Sequence, residues 1–170
     1  MQPSMLRFIT DGTSISSAQK RYLKRREWLM NQCNGPIVLS APKHGPNQMY
    51  PWAHCDAPVY QDSYLLYLTG INQFPFHIFL DPENGNQHIF LPEFNSDRVF
   101  WDGHSFATND QHSLSFLQSA GFTHVQSIKE FKPFILEKVS KYPTWHLLLH
   151  ENGRKKIKDE SFELFNTIRR

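Results

Sequence analysis

Apolar positions recur along the chain with two different periods, and the switches between them mark the elements. Ala18, Tyr22, Leu29 and Cys33, with Leu23 and Met30 beside them, form one stripe at helical spacing. Ser16 with Gln19 three residues on has the form of a capping box, and Asn34-Gly35 supplies a stop. The pattern predicts a helix from Ser16 to about residue 33. Lys20, Arg21, Lys24, Arg25 and Arg26 fall largely off the stripe and are expected to face solvent or a partner. Residues 36–41 are a short apolar run suited to a buried strand. Residues 1–15 show no clear period and form an N-terminal arm or lead-in.

The next stretch has no apolar period. Pro42, Pro46, Pro51 and Pro58 make residues 42–58 a loop by composition, and a loop of that length in a compact domain is usually functional or mobile. Residues 60–70 follow. Tyr64, Leu65, Leu66, Tyr67 and Leu68 are too apolar for solvent and predict a covered segment, with Gly70 at a backbone turn. Two short β-type runs, residues 76–80 and 88–91, then flank a turn containing Asn84-Gly85, a strong hairpin signal.

Beyond the hairpin, residues 95–97 can start a helical turn leading into Trp101, and Thr108 can cap a helix that Gly121 stops. Leu114, Leu117 and Phe106 are placed inward, and Val125 in an extended piece. Ser127 and Glu130 form a second capping box for a helix to about Val139. Pro133 must lie near the first turn of that helix, or the helix starts later. Tyr142-Pro143 ends it, residues 145–149 form a strand, and Asp159 caps a last helix carrying Phe162, Phe165 and Ile168. Helices alternating with strands around one hairpin predict an α/β domain, a mixed β-sheet with helices on both faces.

Composition narrows the class without naming it. The 170 residues, 39% hydrophobic and 20% charged, suit a single soluble domain with its own core. A net charge of +2 gives no case for non-specific nucleic-acid binding. Arg154, Lys155, Lys156 and Lys158 are a second local basic cluster. Cys33 and Cys55 make no disulfide framework, no secretory signal opens the chain, and no apolar run approaches the ~18 residues of a membrane span. A cytoplasmic setting is the expectation.

Candidate chemistry is sparse. The nine histidines include no metalloprotease pair flanking a Glu. His146 and His150 are four apart, but in a strand rather than a helix. His54, Cys55 and Asp56 are adjacent, so their side chains diverge and a metal site would need help from elsewhere. Cys55 beside His54 lacks a visible orienting group, and Ser40 and Ser63 lie outside any nucleophile elbow. No glycine-rich phosphate loop occurs. No catalytic, cofactor or metal residue is therefore expected in this chain. Core packing is the expected use of the tyrosines at 60, 64 and 67. Trp101, on a turn with Asp102-Gly103, is either a contact anchor or folded back over its own core.

Taken in order, Gln61-Asp62-Ser63, Tyr67-Leu68-Thr69-Gly70, the hairpin ending in Phe90-Leu91-Pro92, and Trp101-Asp102-Gly103 resemble the N-terminal domain of aminopeptidase P and its prolidase/creatinase relatives. Arg25-Arg26 and residues 37–42 resemble the same domain's first helix and strand. The resemblance spans roughly residues 16–149. It implies that, after the arm at 1–15, residues 16–170 are a single creatinase/aminopeptidase P N-terminal domain with a ribonuclease H-like motif.

In that family the domain is non-catalytic. It mediates oligomerisation and shapes the substrate pocket of a C-terminal domain. There two Asp, one His and two Glu hold two divalent metal ions, typically manganese, for hydrolysis of the bond before proline at peptide N-termini. Those ligand motifs do not occur in this sequence.

The implied partners are the C-terminal peptidase domain, further copies in a dimer or tetramer, and short proline-containing peptides, with no nucleic acid and no membrane. Trp101 matches the tryptophan that reaches a neighbouring subunit's pocket, and Asp102, Gly103 and Tyr60 join it as pocket or interface candidates. Tyr60 stands where the family usually has Arg, Tyr64 where Asp is frequent, and residues 42–58 are longer and lack the family's arginine. The alternative is a non-catalytic peptide- or protein-binding module, a use to which the same fold is put in a peptidase-like histone-chaperone subunit.

Overall fold

The computed structural model describes residues 8–41, 62–73, 75–93, 104–147 and 168. In chain order the elements are α1 (Ile15–Gln32), β1 (Ile37–Ser40), α2 (Ser63–Thr69), β2 (His77–Asp81), β3 (Asn86–Leu91), α3 (Gln111–Ser119), β4 (His124–Ser127), a 3₁₀ turn (Ile128–Glu130), α4 (Phe131–Val139) and β5 (His146–Leu147). The strands form one mixed sheet in the order β4-β3-β2-β1-β5. β2 lies antiparallel between β1 and β3, while the outer pairs β3–β4 and β1–β5 are parallel. The antiparallel centre needs only the 82–85 turn between β2 and β3. The parallel β3–β4 pair needs a crossover, which α3 supplies.

The central strands are buried along their length, save Asn86 at the start of β3, yet their two faces differ because alternate side chains point oppositely. Ile37, Leu39, Ile78, Leu80, Ile89 and Leu91 join α1, α2 and α3 in the larger core cluster. Val38, Phe79 and Phe90 point the other way and pack with Phe131 and Ile135 of α4 and with Tyr142. Both faces are therefore covered, as the alternation of helices and strands predicts.

Several local expectations are revised. α1 is capped by Ser14, whose hydroxyl accepts from Ser17 N at 3.3 Å, so the helix opens earlier than the Ser16–Gln19 pattern predicts. Gln19 does not close a box. It is buried and donates to Phe116 O at 3.1 Å, a tertiary acceptor that outcompetes the local one. α3 is capped by Asp110 rather than Thr108: the Asp110 carboxylate accepts from His112 N and Ser113 N. Ser127 caps only the 3₁₀ turn, through Lys129 N at 3.4 Å. α4 begins at Phe131, which places Pro133 in its first turn, where a missing N–H leaves no helical bond unmade.

The expected loop at 42–58 and the expected turn at 95–97 lie outside the described residues, as do residues 148–149 of the last expected strand. Of the expected C-terminal helix only Ile168 is described; it is helical and packs on the α4-side cluster. Among the described residues no helix is long and apolar enough to cross a membrane.

Candidate functional site

Tyr60, Trp101, Asp102 and Gly103, the residues the sequence singles out, lie outside the described residues, as do His54, Cys55 and Asp56. Described residues near Tyr60 and near Gly103 in the sequence are held by hydrogen bonds. Asp62 caps α2, its carboxylate accepting from Tyr64 N and Leu65 N, both at 3.0 Å. After β3 and Glu93 the described chain resumes at His104 and runs on to Phe106. There the buried Gln73 amide makes two bonds to the main chain: Nε2 donates to Phe106 O at 3.0 Å, and Oε1 accepts from Phe106 N at 2.8 Å. Thr108 N donates to Pro92 O at 3.2 Å. A side-chain amide thus takes the place of a strand neighbour and holds the main chain there.

α2 is the element that the apolar run at 64–68 forms. A covered segment is the sequence expectation, but only half of it is covered: Leu65 and Leu68 are buried, while Tyr64 and Tyr67 are 60% and 55% exposed. Helical spacing explains the split, since residues three apart share a face. Core packing of these two tyrosines is thereby corrected. Gly70 ends the helix in the left-handed conformation, φ 69°, and a Cβ there would run into the Tyr22 ring of α1. Gly70 O accepts from Ile9 N at 2.8 Å, and the Tyr22 hydroxyl donates to Ile9 O at 2.9 Å.

The adjacent arginines of α1 have opposite fates. Arg26, expected to face solvent, is completely buried. Its guanidinium donates to Leu68 O at 2.9 Å, Gln87 Oε1 at 2.6 Å and Ala120 O, and lies 4.2 Å from the Phe122 ring centroid. Desolvation lowers it to about 9, with Glu27 opposing, so it stays charged at neutral pH. One side chain thereby ties α1 to α2, β3 and the end of α3. Arg25 stays at the surface, stacks 4.1 Å over the Tyr67 ring and donates to Tyr67 O at 2.9 Å.

Above Arg25 lies an open groove of about 520 Å³ between α1 and α2. Its walls include Lys20, Arg21, Lys24, Arg25, Trp28 and Tyr67. Trp28 is 65% exposed. Arg21 is held by Asp11 at 3.1 Å and by Thr10 O at 3.2 Å. The sequence shows the charges but not the groove, because the second wall comes from α2, some forty residues further along.

The opposite face of the sheet gathers titratable groups. The Tyr142 hydroxyl donates to Asp81 Oδ2 at 2.7 Å and accepts from Lys141 Nζ at 2.9 Å. Burial pushes the Asp81 carboxyl up, but bonds from Asn84, Tyr142 and Glu83 N, with Lys141 nearby, leave it below the usual range. Burial raises the Tyr142 phenol. His88 stacks on His124 with centroids 4.2 Å apart and shares a hydrogen bond with Gln126 at 2.8 Å. Burial lowers the His88 imidazole. Among the described residues no three His, Cys, Asp or Glu are grouped to hold a metal ion.

This open, mixed α/β sheet is the architecture of a known class of domains. The sequence model of the family described as aminopeptidase P, N-terminal domain, matches residues 22–147, and the chain belongs to that family. Solved structures with the same fold include Pseudomonas aeruginosa aminopeptidase PepP, with TM-score 0.67, 20% identity, and coverage of 89% of this chain and 32% of that one. They include the low-pH form of Escherichia coli aminopeptidase P, with TM-score 0.66, 15% identity, and 88% and 32% coverage. The zinc-substituted E. coli enzyme in complex with product superposes at TM-score 0.65 and 15% identity, covering 88% and 32%. The chain thus spans about a third of the length of these solved relatives. No curated protein matches the sequence significantly.

The family's double arginine is, in this chain, one buried tie and one surface stack. The Arg26 tie could have been found from its position. It falls four residues after Tyr22 and four before Met30, on the apolar stripe.

Proposed function

We propose that this chain is the non-catalytic N-terminal domain of a Xaa-Pro metalloaminopeptidase. In this reading it assembles subunits as a dimer or tetramer and walls the substrate pocket of a C-terminal domain, where two divalent ions, manganese in the usual case, support hydrolysis of the bond before proline. The observation that carries the reading is the family match across residues 22–147. A fold shared with aminopeptidases P over 88–89% of this chain but only 32% of theirs supports an accessory role. The setting proposed is cytoplasmic, and the substrates are short proline-containing peptides.

Within that reading Trp101, with Asp102 and Gly103, reaches a neighbouring pocket, and Tyr60 lies at its rim. The physical support is the way the stretch is anchored. The Gln73–Phe106 pair and the Thr108–Pro92 bond hold the main chain on either side of it. In the full product of the reading frame, Trp101→Ala should cut Xaa-Pro peptide cleavage severalfold with an unchanged melting temperature. A variant that melts several degrees lower yet cleaves normally would make Trp101 a core residue and end its role in the pocket.

A further inference from the structure

The groove between α1 and α2 has the make-up of a binding site. α1 carries two stripes. One, through Ala18, Tyr22, Arg26 and Met30, is buried. The other, through Ser17, Arg21, Lys24 and Trp28, forms one wall of the groove. Lys20 and Lys24 are four apart, a like-charge pair that weakens a helix by ~0.2–0.5 kcal/mol. Neither has an acidic partner among the described residues, although both are exposed. Arg21 Nε is buried with no hydrogen-bond partner among the described residues. Arg25 is already fixed on Tyr67, so its charge is presented without further loss of side-chain freedom.

Beside these cations stand two exposed aromatic side chains, Trp28 and Tyr67. Four cations line the groove; Asp11 already pairs with one of them, Arg21, while Lys20 and Lys24 have no acidic partner among the described residues. Its occupant must therefore be anionic and also offer apolar surface. A volume of about 520 Å³ holds a few side chains, not a domain. A nucleic acid would need a longer basic track than this, in a chain whose net charge is only +2. A bilayer would meet a convex surface better than a concavity.

We infer that the α1–α2 groove docks a short acidic peptide segment of a partner protein. Its carboxylates would pair with Lys20 and Lys24, and an aromatic or aliphatic side chain would pack on Trp28 beside Tyr67. Charge-assisted pairs supply orientation and on-rate, and the aromatic contact supplies most of the affinity.

The test uses a fluorescein-labelled Asp/Glu peptide with a central Phe, titrated into the protein expressed from its whole reading frame and followed by anisotropy. Saturable binding should weaken as salt rises. The double change Lys20→Glu, Lys24→Glu should cost about tenfold or more in affinity, and Trp28→Ala a comparable factor. Lys132→Glu, on exposed α4 across the sheet, should change nothing. The exposed positions leave the fold intact, which circular dichroism checks. No peptide binding overturns the proposal, as does binding indifferent to Lys20 and Lys24. Tighter binding to phosphatidylserine vesicles or to an RNA oligonucleotide than to the peptide overturns it too. So does a groove closed by self-association, seen as a concentration-dependent mass. None of these failures touches the metallopeptidase reading, which cleavage assays decide separately.

Discussion

On the α1–α2–α3 side the central strands contribute Ile37, Leu39, Ile78, Leu80, Ile89 and Leu91, whereas on the α4 side they contribute Val38, His77, Phe79, His88 and Phe90. The first side sets these aliphatic strand residues against helix and loop residues that include Tyr22, Phe106 and Phe116, and among the described residues it is crossed by one buried cation, Arg26, whose bonds run to two main-chain carbonyls and one amide. On the second the strands themselves carry the rings, at 4.0–6.3 Å between centroids, and this side also holds groups with shifted titration: His88, Asp81 and Tyr142. The first side should therefore respond to changes of shape and hydrogen bonding, and the second to changes of proton concentration. The binding features lie over the first side, on the helices that Arg26 ties together. The rigidity of that tie is what keeps two walls of a groove in register.

The sharpest way to break the contrast is Arg26→Ala. It leaves buried carbonyls unpaired and opens a cavity, at a cost of about 3–5 kcal/mol. Denaturant unfolding measures it. Arg26→Met, which restores the volume, should recover only part of the loss. Full recovery would mean that packing alone holds α1. Gly70→Ala comes next, at about 2–3 kcal/mol, because the left-handed backbone disfavours a side chain and the Tyr22 ring must move. Both changes should leave the acid dependence of unfolding unaltered.

Changes on the second side should do the reverse. Tyr142→Phe removes one bond to Asp81, worth about 1 kcal/mol at neutral pH. His88 and Asp81 both have lowered folded-state values, so the unfolded chain binds their protons more readily. Stability is then full above the ordinary histidine value of 6.5. It falls with acid through the His88 range and again below the ordinary carboxyl value of 3.8. Tyr142→Phe should shrink the lower step, and His88→Phe should remove the upper one. Urea unfolding across the acid range reads both. A flat profile above pH 5 would show that His88 titrates as it does in the unfolded chain.

The sheet was legible because its signals are local. Asn84-Gly85 lies in the turn that joins β2 to β3, with Gly85 at φ 68°, and the alternation along residues 77–81 gives both faces at once. The helix starts were less legible, because Ser14, Asp110 and Ser127 compete with equally plausible caps nearby, and tertiary partners such as Phe116 O decide among them. α2 is too short for its period to be read, so Tyr64 and Tyr67 passed as core. Arg26 was hidden by its charge, although its place on the apolar stripe marked it. The groove was out of reach, since its two walls are brought together only by the packing of α1 on α2.

The central claim, that this chain is the accessory domain of a metallopeptidase, is tested most directly by cleavage of Xaa-Pro peptides with added manganese. The assay compares this 170-residue chain with the full product of its reading frame. The account predicts cleavage by the longer protein alone. Cleavage by the 170-residue chain would contradict it by revealing an active site within residues 1–170. Cleavage by neither would contradict the peptidase assignment and leave the domain as a binding module of peptidase-like fold.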